Sequence, residues 1–195
     1  MQITGGEFKG RPLKVPPGQN TRPTLAKLRQ AMFNSIQAYI PDARVLDLFA
    51  GSGSLGIEAL SRGAESVVAV ENHSGAARAI EQNVQIFKIQ DRYQLIRENV
   101  AKVWPRVLEK GPFDLVFADP PYEDGWEGRL LTEAPWEILL KPDGLFLLEW
   151  GALKSGKKEL PESVPFLVKI REKNYGDTVL TTYRCVVKQA SEEAV

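Results

Sequence analysis

Asp47-Leu48-Phe49-Ala50-Gly51-Ser52-Gly53-Ser54-Leu55-Gly56 is the stretch whose reading decides the fold. Val45–Phe49 is a short apolar run that reads as a strand, and residues 54–62 have the spacing of a helix. Glycines at such a junction permit a tight turn and let backbone amides approach a ligand closely. The Gly51-x-Gly53-x-x-Gly56 spacing matches the dinucleotide fingerprint, but a glycine triplet alone does not say which ligand is held.

Outward from that turn the chain alternates. Strands are expected at Val67–Val70, Tyr93–Ile96, Leu115–Ala118 and Leu145–Trp150. Between them the spacing predicts helices over Ser74–Lys88, with Ala76, Ile80, Val84 and Phe87 buried, over Val100–Leu108, and over residues 129–140. Upstream, Leu25–Tyr39 reads as a helix with Thr24 as its N-cap and Pro41 as its stop. Strands alternating with helices imply a parallel sheet covered on both faces. Phe166–Arg171 and Val179–Val187 are strand-like with no helix between them, so a terminal antiparallel pair is expected. The expected architecture is α/β: a Rossmann-like, seven-stranded, mostly parallel sheet with a C-terminal antiparallel pair. Residues 1–40 are expected to form a basic extension and helix within the same domain, residues 41–190 the body, and 191–195 a tail.

The second decisive segment is Asp119-Pro120-Pro121-Tyr122, directly after the fourth strand. Ligands of open α/β sheets bind outside the carboxyl ends of the strands, so this segment and the glycine turn face one crevice. Consecutive prolines fix φ and withhold N–H groups, leaving carbonyls as acceptors. A carboxylate and such a carbonyl can accept both hydrogens of one amino group, and a tyrosine ring can stack on the base that carries it. An exocyclic amine is a poor nucleophile because its lone pair is delocalised, so aligned acceptors help to direct that pair at a methyl donor. Asp47 favours S-adenosylmethionine over NAD as that donor, since a carboxylate suits the ammonium of a methionine moiety and not a pyrophosphate. Glu71, closing the second strand, can accept from ribose hydroxyls of either cofactor. Asn99, after the third strand, reads equally as a contact to an adenine edge and as a helix N-cap.

Composition sets the outer limits. The chain has 195 residues, 43% of them hydrophobic, and no formal net charge. One domain, located in the cytoplasm, fits these values, with no apolar run of membrane-spanning length and no secretory leader. A neutral chain is not one that coats nucleic acid indiscriminately. Residues 1–40, however, carry Lys9, Arg11, Lys14, Arg22, Lys27 and Arg29 against Glu7 alone, a local footprint for a polyanion. A solvated arm with incidental charge is the plainer alternative. Cys185 is the single cysteine and reads as a packing residue, His73 as an exposed cap-region residue, and no cluster has metal-ligand spacing.

Taken together, the residues resemble a known family. Gly5-Gly6-x-x-Lys9-Gly10-Arg11-x-Leu13, then Arg22-Pro23-Thr24 with Arg29 and Phe33-Asn34, then Leu60-Ser61-Arg62-Gly63-Ala64 and Tyr175-Gly176-Asp177 accompany the two central motifs. This set resembles the RsmD family, bacterial guanine-N2 methyltransferases of 16S ribosomal RNA. The resemblance implies that Asp119, Pro120, Pro121 and Tyr122 hold a guanine of 16S rRNA, within the 30S subunit or its late precursor. It implies that Asp47, Phe49, Ala50, Gly51, Ser52, Gly53, Leu55 and Gly56, with Glu71, Asn72, Asn99 and Val100, bind S-adenosylmethionine. It also places Lys9, Arg11, Lys14, Arg22, Thr24 and Arg29 near the RNA, with neither membrane nor metal involved. Asn99 stands where such enzymes often have aspartate. Rival readings are a DNA adenine-N6 methyltransferase, disfavoured by the lack of a target-recognition domain, a nicotinamide-dependent oxidoreductase, which leaves Asp119–Tyr122 unexplained, and a binding module without activity.

Overall fold

The computed structural model describes residues 1–16, 23–122, 124–151 and 159–186, with residues 23–25 described in backbone only. Its sheet contains β1 (Arg44–Leu48), β2 (Ser66–Val70), β3 (Tyr93–Ile96), β4 (Phe113–Ala118), β5 (Leu140–Gly151), β6 (Ser163–Val164), β7 (Leu167–Tyr175) and β8 (Thr178–Cys185). The spatial order is β3-β2-β1-β4-β5-β8-β7-β6. The first five strands are mutually parallel, and β8 inserts antiparallel to both β5 and β7. The parallel core and the terminal antiparallel pair are therefore as the alternation implied. Among the described residues the sheet has eight strands where seven were expected; the extra one is the two-residue edge strand β6, too short to show a period in sequence.

Helices cover both faces. α1 (Pro23–Ser35), α2 (Ser54–Ser61) and α3 (Ser74–Phe87) bury Phe33, Ile57, Leu60 and Ile80 against Val45, Leu115, Phe117 and Leu147 on one face. α4 (Trp104–Leu108), α5 (Trp126–Glu133) and α6 (Trp136–Leu139) bury Val107, Leu130 and Trp136 against Leu46, Leu48, Val116 and Phe146 on the other. Alternate residues of β1 thus enter opposite cores, the period-two consequence of a sheet covered on both sides.

Several boundaries differ from expectation. α1 begins at Pro23, so Thr24 lies inside the first turn and is not the cap. Proline suits that opening position, having no N–H to leave unpaired. The helix expected over 100–108 is a 3₁₀ turn at Val100–Lys102 followed by α4, with Pro105 in its first turn. The one expected over 129–140 starts three residues earlier, at Trp126, and is split into α5 and α6 at Ala134-Pro135, since proline cannot continue a helix. β7 runs on to Tyr175, leaving only Gly176-Asp177 as the hairpin turn.

Residues 1–13 are not a solvated arm. Ile3, Phe8 and Leu13 are buried, the amide and hydroxyl of Thr4 donate to the Glu58 carboxylate of α2, and the Phe8 amide donates to Ser61 Oγ at 2.8 Å. No helix among the described residues is long and apolar enough to cross a membrane.

Candidate active site

Parallel strands leave their carboxyl ends along one edge of the sheet. β1 lies between β2 and β4, so the crossovers leave it in opposite directions and open a crevice at that edge. A cavity of about 570 Å³ lies there, between the turn after β1 and the segment after β4. A second hollow of about 260 Å³ adjoins it toward β3, with Phe49, Glu71, Asn72 and Pro121 bordering both.

The glycines of the turn have different tasks. Gly51 adopts φ 57°, and nothing lies within 4 Å of where its Cβ would stand, so it keeps the cavity open. Phe49, at φ 60°, also holds a left-handed conformation and meets Trp126 edge-on at 5.0 Å. A Cβ at Gly53 would come 2.8 Å from Tyr93 Oη, and one at Gly56 would come 2.8 Å from Val67 Cγ1. Those two glycines let α2 lie against the sheet and do not border the cavity. Phe49, Ala50, Gly51, Ser52 and Leu55 do border it.

Asp47 is also absent from the cavity wall. Its side chain is 1% exposed and turned toward α2, where Oδ2 accepts the Gly56 amide at 3.0 Å and Oδ1 has no partner among the described residues. Burial, opposed by the Gly56 hydrogen bond and reinforced by Glu71, pushes its carboxyl up to about 7. Asp47, expected to meet a ligand ammonium, is thus placed behind the cavity wall, where it anchors the turn through Gly56.

Glu71 lies beneath the turn. Its Oε2 accepts the Gly51 amide at 2.8 Å and its Oε1 the His73 amide at 2.7 Å, and each oxygen keeps a second lone pair. Asn72 is exposed beside it, and His73 caps α3 through Nδ1, as expected of an exposed cap residue. Asn99 is a helix cap, its Oδ1 accepting the Ala101 amide at 2.8 Å, and it borders the smaller hollow together with Val100.

Asp119, Pro120, Pro121 and Tyr122 form the opposite wall of the larger cavity. Asp119 is exposed on the cavity wall; the loss of bulk solvent around it raises its carboxyl, with Glu149 and then Asp47 adding to the shift. The Tyr122 hydroxyl donates to Glu149 Oε1 at 3.0 Å and lies 3.4 Å from Thr178 Oγ1. Its ring covers Gly151, where a Cβ would stand 2.7 Å from Cδ2. Burial raises the Glu149 carboxyl too, with the Tyr122 hydrogen bond opposing. Asp47, Glu71, Asp119 and Glu149 are thus close enough to act on one another, and among the described residues no lysine or arginine lines the larger cavity. Such a crevice favours a cationic ligand and opposes a pyrophosphate.

The family model described as conserved hypothetical protein 95 matches residues 1–184. Ribosomal RNA small subunit methyltransferase D of Haemophilus influenzae is 34% identical over 153 residues, 76% of this chain and 78% of that one. The chain belongs to the RsmD family. YlbH of Bacillus subtilis is 36% identical over 185 residues, covering 94% of this chain and 98% of the other. The solved structure of the Escherichia coli protein yhhF superposes with a TM-score of 0.78 at 30% identity, over 96% of this chain and 99% of that one.

Within this RsmD member the basic N-terminal residues separate into two groups. Lys9 and Lys14 are exposed. The Arg11 guanidinium lies 4.3 Å from the Phe87 ring centroid and donates to the Ile86 carbonyl at 2.8 Å, which fastens the N-terminal segment to α3. Arg29 is 5% exposed, its Nε 3.4 Å from Glu58 Oε2 and its Nη2 donating to the Gln2 carbonyl. The expectation that Arg29 contacts RNA is corrected: a buried charge needs a partner, and Glu58 is that partner. Thr24 is described in backbone only, and Arg22 lies outside the described residues. Missed from sequence were Met1, Arg129 and Glu98 around the hollows, and Glu149 and Thr178 behind Tyr122. Only Glu149 carried a signal, as a carboxylate inside the apolar run Leu145–Trp150.

Proposed function

We propose that this protein transfers a methyl group from S-adenosylmethionine to the exocyclic N2 amine of a guanosine in 16S ribosomal RNA, presented in the cytoplasm by the 30S subunit or its late precursor. The observation that carries the reading is the meeting of Asp119–Tyr122 and the Gly51 turn across one acidic cavity. Its roughly 570 Å³ suits a ligand of cofactor size. The residues present fit S-adenosylmethionine. Gly51 leaves a cradle that a Cβ would fill, Glu71 offers lone pairs to a ribose, and the surrounding carboxylates complement a ligand with sulfonium and ammonium charges. When bound, S-adenosylmethionine supplies an electrophilic methyl group.

The chain supplies the rest. The Asp119 carboxylate and a carbonyl of the Pro120-Pro121 pair accept the two amine hydrogens, and the Tyr122 ring stacks on the base. Orientation of this kind contributes about 7–11 kcal/mol in favourable cases, and stacking roughly 1–3 kcal/mol toward extruding the base. Methylation leaves one surplus proton on the amine nitrogen. Asp119 receives it as the carboxylate already aligned with that N–H bond. Lys9 and Lys14 flank the RNA, and residues 1–40 act as one domain with the body that follows, while the expected tail 191–195 lies outside the described residues.

The test is methylation of 30S particles from a strain lacking the protein, with radiolabelled S-adenosylmethionine and mapping of the modified nucleotide. Label at N2 of one 16S guanosine is expected. Label on adenine of DNA with none on subunits overturns the reading, as does calorimetric binding of NADH in preference to S-adenosylmethionine.

A further inference from the structure

The Tyr122 ring is not held by the Asp119-Pro120-Pro121 backbone alone. Its hydroxyl reaches across the sheet edge to Glu149, 27 residues later on β5, and to Thr178, 56 residues later at the start of β8. Thr178 and Gly151 are paired residues of the β5–β8 ladder, so the strand ends that carry Glu149, Gly151 and Thr178 form one rigid platform under the ring. Gly151 admits the ring face, because any side chain there would collide with it. Glu149 breaks the otherwise apolar run Leu145–Trp150 of β5 and is half-buried. Taking a carboxylate out of water is unfavourable unless it is paired, and the described hydrogen bond that it accepts is the one from Tyr122. That hydroxyl is consequently committed inward, which leaves only the aromatic face for a ligand.

We propose that Glu149 is a positioning residue for methyl transfer: by accepting the Tyr122 hydroxyl, with Thr178 beside it, it locks the ring at the angle at which a flipped base stacks next to Asp119. The inference rests on the proposed methyl transfer. Glu149 touches neither the amine nor the methyl donor; it acts through Tyr122. Its charge also raises the Asp119 carboxyl, so its removal affects that group as well.

The experiment measures kcat and KM on 30S particles lacking the modification for wild type, Tyr122→Phe, Glu149→Leu, Glu149→Gln and the Tyr122→Phe/Glu149→Leu double variant. Tyr122→Phe and Glu149→Leu each lower kcat roughly tenfold, the worth of one hydrogen bond, with KM for S-adenosylmethionine unmoved. The double variant is no worse than either single one, because both remove the same contact. Glu149→Gln keeps an oxygen that accepts the hydroxyl and recovers most of the loss. It also moves the acid limb of the kcat profile to lower pH, since losing the neighbouring negative charge lets Asp119 ionise sooner. Multiplicative losses in the double variant, wild-type kcat in Glu149→Leu, or a Glu149→Gln variant as slow as Glu149→Leu with an unshifted acid limb each overturn the proposal. If Glu149→Leu lowers the thermal midpoint, Tyr122→Phe and Glu149→Gln decide the matter between them. Failure of the underlying reading looks different: wild-type protein would leave 30S particles unlabelled, whatever the state of Glu149.

Discussion

Oδ2 of Asp47, inside β1, accepts the backbone amide of Gly56 in the first turn of α2 at 3.0 Å, while Oδ1 of the same carboxyl has no partner among the described residues. One buried side chain therefore ties the strand to the helix across the glycine turn and holds an acceptor in reserve.

The reserve has a consequence for stability. The folded-state carboxyl stands at about 7 against 3.8 for the free side chain, so between those values the native state holds a proton that the unfolded state has lost. Stability of the ligand-free protein therefore falls as pH rises through that window. Asp47→Asn retains an acceptor for Gly56 without a charge. Its thermal midpoint is expected to exceed wild type by several degrees at pH 8 and to match it below about pH 4, while its affinity for S-adenosylmethionine drops. Calorimetric scans across pH and titration with the cofactor check both halves.

Alanine at Gly51 and at Gly56 should fail in different ways. At Gly56 the new methyl meets Val67 and the Tyr93 ring, so unfolding free energy falls by about 1–3 kcal/mol. At Gly51 there is open space but φ is 57°, so about 1–2 kcal/mol of backbone strain accompanies a methyl group placed in the cavity. Cofactor affinity should fall more for Gly51→Ala than for Gly56→Ala, as isothermal titration would show.

Arg29→Met takes one of two guanidinium partners from Glu58, which is 0% exposed and keeps Arg62 Nε at 2.8 Å and the two Thr4 donors. A loss of about 1–3 kcal/mol is expected, visible as a thermal midpoint lower by several degrees. The salt dependence of binding to 30S particles should stay at the wild-type slope, because this arginine is not a phosphate contact.

Lys14→Glu gives the opposite pattern. The Lys14 backbone is fixed by Asn83, which receives its amide at 2.8 Å and donates to its carbonyl at 2.9 Å, while the side chain is exposed. The thermal midpoint should not move, and the slope of log affinity against log salt should fall by about 0.7–0.9 for one lost phosphate contact.

On the proposed mechanism, Asp119→Ala removes one of the two acceptors for the amine. Single-turnover methylation of 30S particles should slow by roughly a hundredfold or more, with S-adenosylmethionine affinity changed far less. Equal loss of cofactor binding and rate would place Asp119 in the cofactor site.

The two motifs and their common edge were legible because both depend on local order along the chain. A strand, a glycine turn and a helix in Val45–Arg62, repeated as strand then turn at Leu115–Tyr122, suffice to put Gly51 and Asp119 at the same end of a parallel sheet. Helix ends were less legible where proline intervened, as at Pro105 and Pro135, because apolar spacing continues across a break that the backbone cannot. The charge count of residues 1–40 could not tell Arg29 from Lys14, since pairing with Glu58 is invisible until α1 and α2 are packed.

By itself, then, the sequence determined the parallel α/β core, the turn that opens the cavity and the acceptor segment facing it, all of which follow from backbone sterics and period within about twenty residues. The tertiary structure alone decided that Asp47 and Gly56 sit behind the cavity wall, that Arg29 is a buried partner, and that Glu149 and Thr178 brace Tyr122. Those relationships join residues brought together by sheet order and core packing, and the cost of leaving a charge or hydroxyl buried without a partner fixes them only after the strands are in place.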